Sequence, residues 1–203
     1  MVTVAAEGDG ERQIDPIIEI VVDLLDTEGY EAVQLREVAR RARVSLATIY
    51  KRYATRDELI VAALEWWMDT HRYAGLAAPT IFTADSSVYS NLMDLFRTIF
   101  EPWEQHPLML RSYFRARSGP GGKRLIQRGF DAVLPVAKAI VAQLDSELAQ
   151  DLELILSGVV FGFLGRFTAG EIEVTEIVPG IERAVFRLTA AYDANPPRQL
   201  EPR

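Results

Sequence analysis

Residues 33–59, VQLREVARRARVSLATIYKRYATRDEL, constrain the fold more than any other part of the chain. Leu35, Val38, Ala39 and Ala42 fall at helical spacing, and Arg43-Val44 interrupts the pattern. Ser45 is placed to cap a second helix that continues through Leu46, Ile49, Tyr50 and Tyr53. Two short helices with so tight a break between them make a helix-turn-helix. Thr55-Arg56-Asp57-Glu58 is a capping box that opens a further helix carrying Leu59, Ala63, Leu64 and Trp67. Upstream, Asp15-Pro16 is a strong helix start, because the carboxylate accepts from free N–H groups and proline at the first position forfeits no helical bond. Ile17, Val21, Leu24 and Leu25 form an apolar stripe, and Gly29 ends a helix expected over 15–28.

The formal net charge of −7 argues at first against nucleic acid, but the charge is unevenly spread. Between Tyr30 and Ile60, Arg36, Arg40, Arg41, Arg43, Lys51, Arg52 and Arg56 outnumber Glu31, Glu37, Asp57 and Glu58. The basic footprint is local, and the acidic remainder keeps the rest of the molecule off phosphates.

Gly29-Tyr30, Leu35 to Ala39, Val44-Ser45, Ala47 to Tyr50, Tyr53 and Arg56 to Leu59 closely resemble the signature of the tetracycline-repressor (TetR) family, over roughly residues 15–64. Segments around Pro107 and from Phe163 to Leu188 resemble the subgroup that represses steroid and fatty-acid catabolism. Three positions depart from the family pattern. Arg43 stands where the turn usually has glycine, Arg12 is the lone arginine before the first helix, and Arg56 replaces the usual lysine.

In a helix-turn-helix the second helix, here about Leu46 to Arg52, lies in the major groove with its N-terminal residues toward base edges. Ser45, Leu46, Ala47 and Thr48 are then the base-facing candidates. Gln34, Leu35, Arg36, Arg43, Lys51, Arg52, Arg56 and the Tyr50 hydroxyl are phosphate candidates, which fix register without reading sequence. The same charges taken alone would suit a solvated helical face, with the tyrosines as core; it is the register of the whole signature that favours DNA.

The remaining chain reads as helices. Val88, Leu92, Leu95, Phe96, Ile99 and Trp103 follow a cap at Ser86 or Ser87, and Pro102 is expected to end that helix. His106-Pro107 starts another, to about Arg117, and SGPGGK at 118–123 reads as a flexible loop. No strand precedes that loop and the Walker spacing is absent, so it does not read as a phosphate cradle. Further helices are expected at about 123–144, kinked at Pro135, and at about 146–168 and 176–193. The fold class is all-α with about nine helices. A three-helix DNA-binding domain at 15–57 precedes a ligand-binding and dimerisation bundle at 58–194, between disordered tails at 1–14 and 195–203.

The helix at 146–168 is apolar around much of its circumference, which implies burial on more than one side. The family resemblance implies that the last two helices pair with their copies in a homodimer, with Leu152, Val159, Gly162, Ile181, Val185 and Leu188 as interface candidates. Gly158, Gly162 and Gly165 mark one side of the first; a dimer seam and close packing within the chain fit them equally. Phe96, Phe100, Trp103, Met109, Tyr113, Phe114, Phe130, Phe161 and Phe163 concentrate in the middle helices, where they line a pocket or fill a plain core. The resemblance suggests a fatty or steroid effector, or its acyl-CoA thioester, with Arg115, Arg117 or Arg166 meeting an anionic group.

Other classes find little support. The absence of cysteine excludes disulfides, thiolate metal sites and cysteine nucleophiles. His71 and His106, the two histidines, lack metal-ligand spacing, and Glu171, Glu173 and Glu176 read as a solvated loop. No cofactor or metal is expected. The longest apolar run, Leu154 to Gly165, falls short of the ~20 residues that span a bilayer, and the N-terminus lacks the features of a signal peptide, which favours the cytoplasm. The expected function is a DNA-binding repressor released from an inverted-repeat operator by a small, largely apolar effector. The alternative, a helical ligand-binding or interaction protein without DNA binding, leaves the basic cluster unexplained.

Overall fold

The structure, a computed structural model, describes residues 15–77, 86–142 and 144–194. The tails at 1–14 and 195–203 lie outside the described residues. Among those described there are nine α-helices and no strand. They are α1 (Pro16–Thr27), α2 (Leu35–Ala42), α3 (Leu46–Arg52), α4 (Arg56–Trp67), α5 (Val88–Gln105), α6 (Pro107–Arg117), α7 (Gly122–Val141), α8 (Ser146–Thr168) and α9 (Ile177–Ala194).

Side-chain caps set most of the starts. Asp15, Ser45, Thr55, Ser87 and Asp145 each accept a backbone N–H from the first turn of α1, α3, α4, α5 and α8, at 2.9–3.1 Å. Glu58 reaches back past the Thr55 cap to accept from the Ala54 N–H at 2.8 Å, one residue before the N–H that a capping box would use.

The chain departs from the sequence expectation at two corners. Pro102 does not end α5, which continues to Gln105. Trp103 is buried, with its ring 4.6 Å from Trp67 and 5.5 Å from Tyr113, and this packing carries the helix past the bond that proline lacks. The stretch 118–123 is a close-packed corner between α6 and α7. Gly121 adopts φ 83°, and a Cβ on Gly122 would lie 2.0 Å from the Arg117 carbonyl oxygen.

Helix α4 joins two layers. It packs on α1 on one side and on α6 and α7 on the other, with Leu59, Ile60, Val61, Ala63, Leu64 and Trp67 buried. Beyond it, α5 lies between α7 and α9, and α8 packs on α9. Within the protomer α8 buries only Leu152, Leu156 and Phe167, rather than more than one side. By length and composition α8 could cross a membrane, although Leu154 to Gly165 alone could not. Its outer face is simply uncovered in a single protomer.

Asp15 ties the two ends of the first unit together. Besides capping α1, its carboxylate accepts from Arg52 Nη1 at 2.8 Å and from the Tyr53 hydroxyl at 3.2 Å, both at the end of α3. Replacing Asp15 with alanine removes a cap and two ties. Asp15→Ala is expected to lower the free energy of unfolding by about 1–2 kcal/mol in urea denaturation; an unchanged midpoint would contradict this role.

Candidate functional site

The turn between α2 and α3 rests on Arg43, the one non-glycine residue at positive φ among the described residues (φ 54°, ψ 37°). A left-handed residue with a side chain costs about 1–2 kcal/mol. The turn recovers bonds at the frayed end of α2: the Arg43 N–H donates to the Arg40 carbonyl at 3.3 Å and the Val44 N–H to that of Ala39 at 3.0 Å. Ile49 is then buried beneath α3 while Ala47, Tyr50, Lys51 and Arg52 face outward.

The candidate DNA contacts separate into groups. Gln34, Arg36, Arg43, Ser45, Ala47, Tyr50, Lys51 and Arg52 are exposed, whereas Leu35, Leu46, Thr48 and Arg56 are half-buried. The Ser45 hydroxyl is occupied as the α3 cap and lies 2.9 Å from Thr48 Oγ1. Arg52 is already paired with Asp15. Arg36, Arg43 and Lys51 have no acid within 4 Å among the described residues.

Arg56 turns inward. Its Nε and Nη2 donate to the carbonyls of Val33 and Tyr30 at 2.5 and 2.6 Å, and its guanidinium lies 4.7 Å over the Tyr30 ring. It braces α4 against the segment that leads into α2. Arg40 and Arg41 are likewise engaged, both donating to Glu37 at 2.6–2.8 Å. The hydrogen bonds from Arg40, then Arg41, hold the Glu37 carboxyl down at about 2. The net cationic face is therefore narrower than the composition of residues 30–60 implies.

A cavity of about 270 Å³ opens among α5, α6, α7 and α8. Phe96, Phe100, Trp103, Tyr113, Phe114, Phe130 and Phe161 line it. The structure places three other candidates elsewhere. Met109 is core outside the cavity wall, and the Phe163 ring sits where a Cβ on Gly180 would be, closing α8 onto α9. Arg166 is exposed and paired with Glu171 at 3.2 Å. Arg115 is also held away, paired with Glu31 and stacked 4.8 Å from the Tyr30 ring.

Sequence reasoning missed Arg72, which lines the cavity from the single turn that continues α4 (Met68–Arg72). Its Nε donates to the Ile99 carbonyl at 2.7 Å and its Nη1 to the Tyr73 hydroxyl at 2.9 Å. An isolated arginine past a helix end carries no signal in sequence, and its partner Ile99 lies 27 residues away.

The last two helices divide the interface candidates. Leu152, Ile181 and Val185 are buried inside the protomer, where no second copy can reach them. Val159 and Leu188 are half-buried, and Gly162 is exposed. Leu154, Ile155 and Phe161 of α8 and Phe186 of α9 are exposed large apolar side chains. A Cβ on Gly158, Gly162 or Gly165 would meet nothing within 4 Å, so close packing within the chain does not account for them.

Residues 17–63 match the model for bacterial regulatory proteins of the tetR family, and residues 86–188, about half of the chain, match that for the tetracyclin repressor-like C-terminal domain. The chain belongs to the TetR family. As a TetR-family regulator it is a DNA-binding transcription factor and not an enzyme, and regulators of this family form dimers that take effector ligands. Over 48 residues it is 42% identical to the HTH-type transcriptional repressor KstR of Rhodococcus jostii (strain RHA1), a span of 24% of this chain and 23% of that one. Two crystal structures of TetR-type regulators from Rhodococcus share the fold. One superposes with a TM-score of 0.61 at 19% identity, covering 86% of this chain and 97% of that one. The other, from Rhodococcus sp. RHA1, gives 0.56 at 18%, covering 86% and 94%.

Lys51 and Arg56 make opposite predictions. Lys51→Ala should lower the slope of log affinity against log salt by about 0.9 on any duplex, because one phosphate contact is lost. Arg56→Met should leave that slope unchanged yet lower unfolding stability by about 1–3 kcal/mol, because the Val33 carbonyl loses its donor and that of Tyr30 keeps only the long bond from the Val33 N–H. Equal effects of both substitutions on the salt slope would contradict the division.

Proposed function

We propose that the protein is a homodimeric repressor that holds an inverted-repeat operator with α3 and releases it when a small, largely apolar effector fills the cavity. The observation that carries this reading is the double engagement of α6. Leu110, Tyr113, Phe114 and Arg117 of α6 line the cavity. From the same helix Arg115 stacks on Tyr30 and pairs with Glu31, while His106, its cap, places Nδ1 2.8 Å from the Asp26 carboxylate at the end of α1. A ligand that shifts α6 acts on the helix-turn-helix unit directly. Release requires only that the ligand favour the DNA-incompetent arrangement, with a coupling of about 1–3 kcal/mol.

In this reading residues 15–57 form the DNA-binding unit and 58–194 the effector and dimer unit. Ala47 and Thr48 face the bases, with Gln34, Arg36, Arg43, Tyr50 and Lys51 on phosphates. The uncovered faces of α8 and α9, with Ile155, Val159, Gly162, Phe186 and Leu188, meet their copies across a two-fold axis. Two recognition helices related by that axis call for an inverted repeat. The site of action is the cytoplasm.

Ile155→Asp combined with Phe186→Asp changes only exposed residues, so each protomer keeps its core. The double variant should sediment as a monomer and bind a full operator about a hundredfold more weakly or worse, as avidity is lost. A variant that stayed dimeric, or a monomer that bound as tightly as the parent, would sink the assignment.

A further inference from the structure

The charges on the cavity wall run against those of the chain. Among the described residues, Arg72, Arg117 and Lys138 line it against one acid, Glu153, in a protein of net charge −7. Lys138, Glu153, Phe130 and Phe161 are among the exposed members of the lining, which marks the side on which it opens. Arg117 lies near it, 5.5 and 5.8 Å from the rings of Phe114 and Phe161.

Arg72 sits against the inner wall. Its guanidinium is 5.2, 5.8 and 5.1 Å from the ring centres of Tyr73, Phe100 and Trp103, all three buried. No carboxylate lies within 4 Å of it among the described residues. The acids of the preceding turns are taken: Glu65 pairs with Arg124, and Asp69 with Arg128. Of the five guanidinium N–H donors, the Ile99 carbonyl and the Tyr73 hydroxyl use two. Three remain, on a half-buried cation with no carboxylate within 4 Å among the described residues, at a wall that is aromatic and apolar around it.

From this juxtaposition we infer that the effector is an amphiphilic monocarboxylate, its apolar body among the aromatic rings and its carboxylate on Arg72. The inference rests on the reading of the cavity as the effector site. A planar carboxylate matches the guanidinium fork and supplies the missing charge. Because Arg72 belongs to the turn that continues α4, the bound carboxylate acts on that helix directly.

The test uses the full chain with N-phenyl-1-naphthylamine as a neutral fluorescent reporter, displaced by dodecanoate or by methyl dodecanoate. Dodecanoate should displace it at a concentration about tenfold or more lower than the ester, the margin of a charge-assisted hydrogen bond. Arg72→Met should erase that preference by weakening dodecanoate about tenfold more than it changes reporter or ester affinity. Arg72→Lys, which keeps the charge but not the fork, should retain part of it and serves if the methionine variant does not fold. Equal binding of acid and ester, a preference that survives both substitutions, or one lost in Arg117→Met instead would overturn the inference while leaving the apolar cavity as the effector site. Failure of the reporter to bind would remove the cavity reading itself, and this inference with it.

Discussion

Helix α4 carries buried apolar side chains around more than half of its circumference. Leu59, Ile60, Val61, Ala63, Leu64 and Trp67 are buried, and together they run around the helix rather than along one face. A buried face that wide needs cover from more than one neighbour, and the strip through Glu58, Ala62, Glu65 and Trp66 keeps contact with water. The helix-turn-helix unit covers it through α1, and the larger bundle through α6 and α7. Each of the large side chains contributes about 1.5–3 kcal/mol on burial, so the two units cannot part without exposing most of a core. What would otherwise be two domains on a linker is one continuous interior, and a displacement in one half has to be accommodated by the other.

Polar ties at the two ends of α4 convert that shared core into a positioned site. At its start, Arg56 fixes the carbonyls of Val33 and Tyr30, and the Tyr30 hydroxyl donates to Asp57 at 3.0 Å. Asp15 holds Arg52 and Tyr53 at the end of α3; burial, with the Asp15 charge second, pushes the Tyr53 hydroxyl up to about 12. These bonds occupy the charges that would otherwise blur the recognition surface. Arg36, Arg43 and Lys51 keep no carboxylate within 4 Å among the described residues, and the small Ala47 stays exposed beside them, which is what the proposed phosphate and base contacts need. Beyond the other end of α4, Arg72 enters the cavity. α4 and the turn that continues it therefore reach from the end of α3 to the inner wall of the cavity.

The sequence was most legible where a local rule decides the outcome. Asp15, Ser45 and Thr55 cap the helices their types suggested, and the span 146–168 emerges with the same bounds as α8. The left-handed turn at Arg43 was legible as a departure from glycine at a position that demands positive φ. It was less legible where a distant partner decides. Periodicity shows that Leu152, Ile181 and Val185 face something apolar; it does not show that this is their own protomer. Arg56 and Arg72 look like solvated cations in one dimension, yet the first bonds carbonyls 23 and 26 residues back and the second a carbonyl 27 residues ahead. Pro102 obeyed its usual rule until the burial of Trp103 outweighed one backbone bond.

Selection from a pool of randomised duplexes tests the central claim, that this fold presents α3 as a paired, sequence-reading element. The parent protein should enrich an inverted repeat, and Ala47→Arg should enrich a repeat of the same spacing with different bases in each half-site. A pool that stays random, or a repeat whose bases are unchanged by Ala47→Arg, would contradict the account.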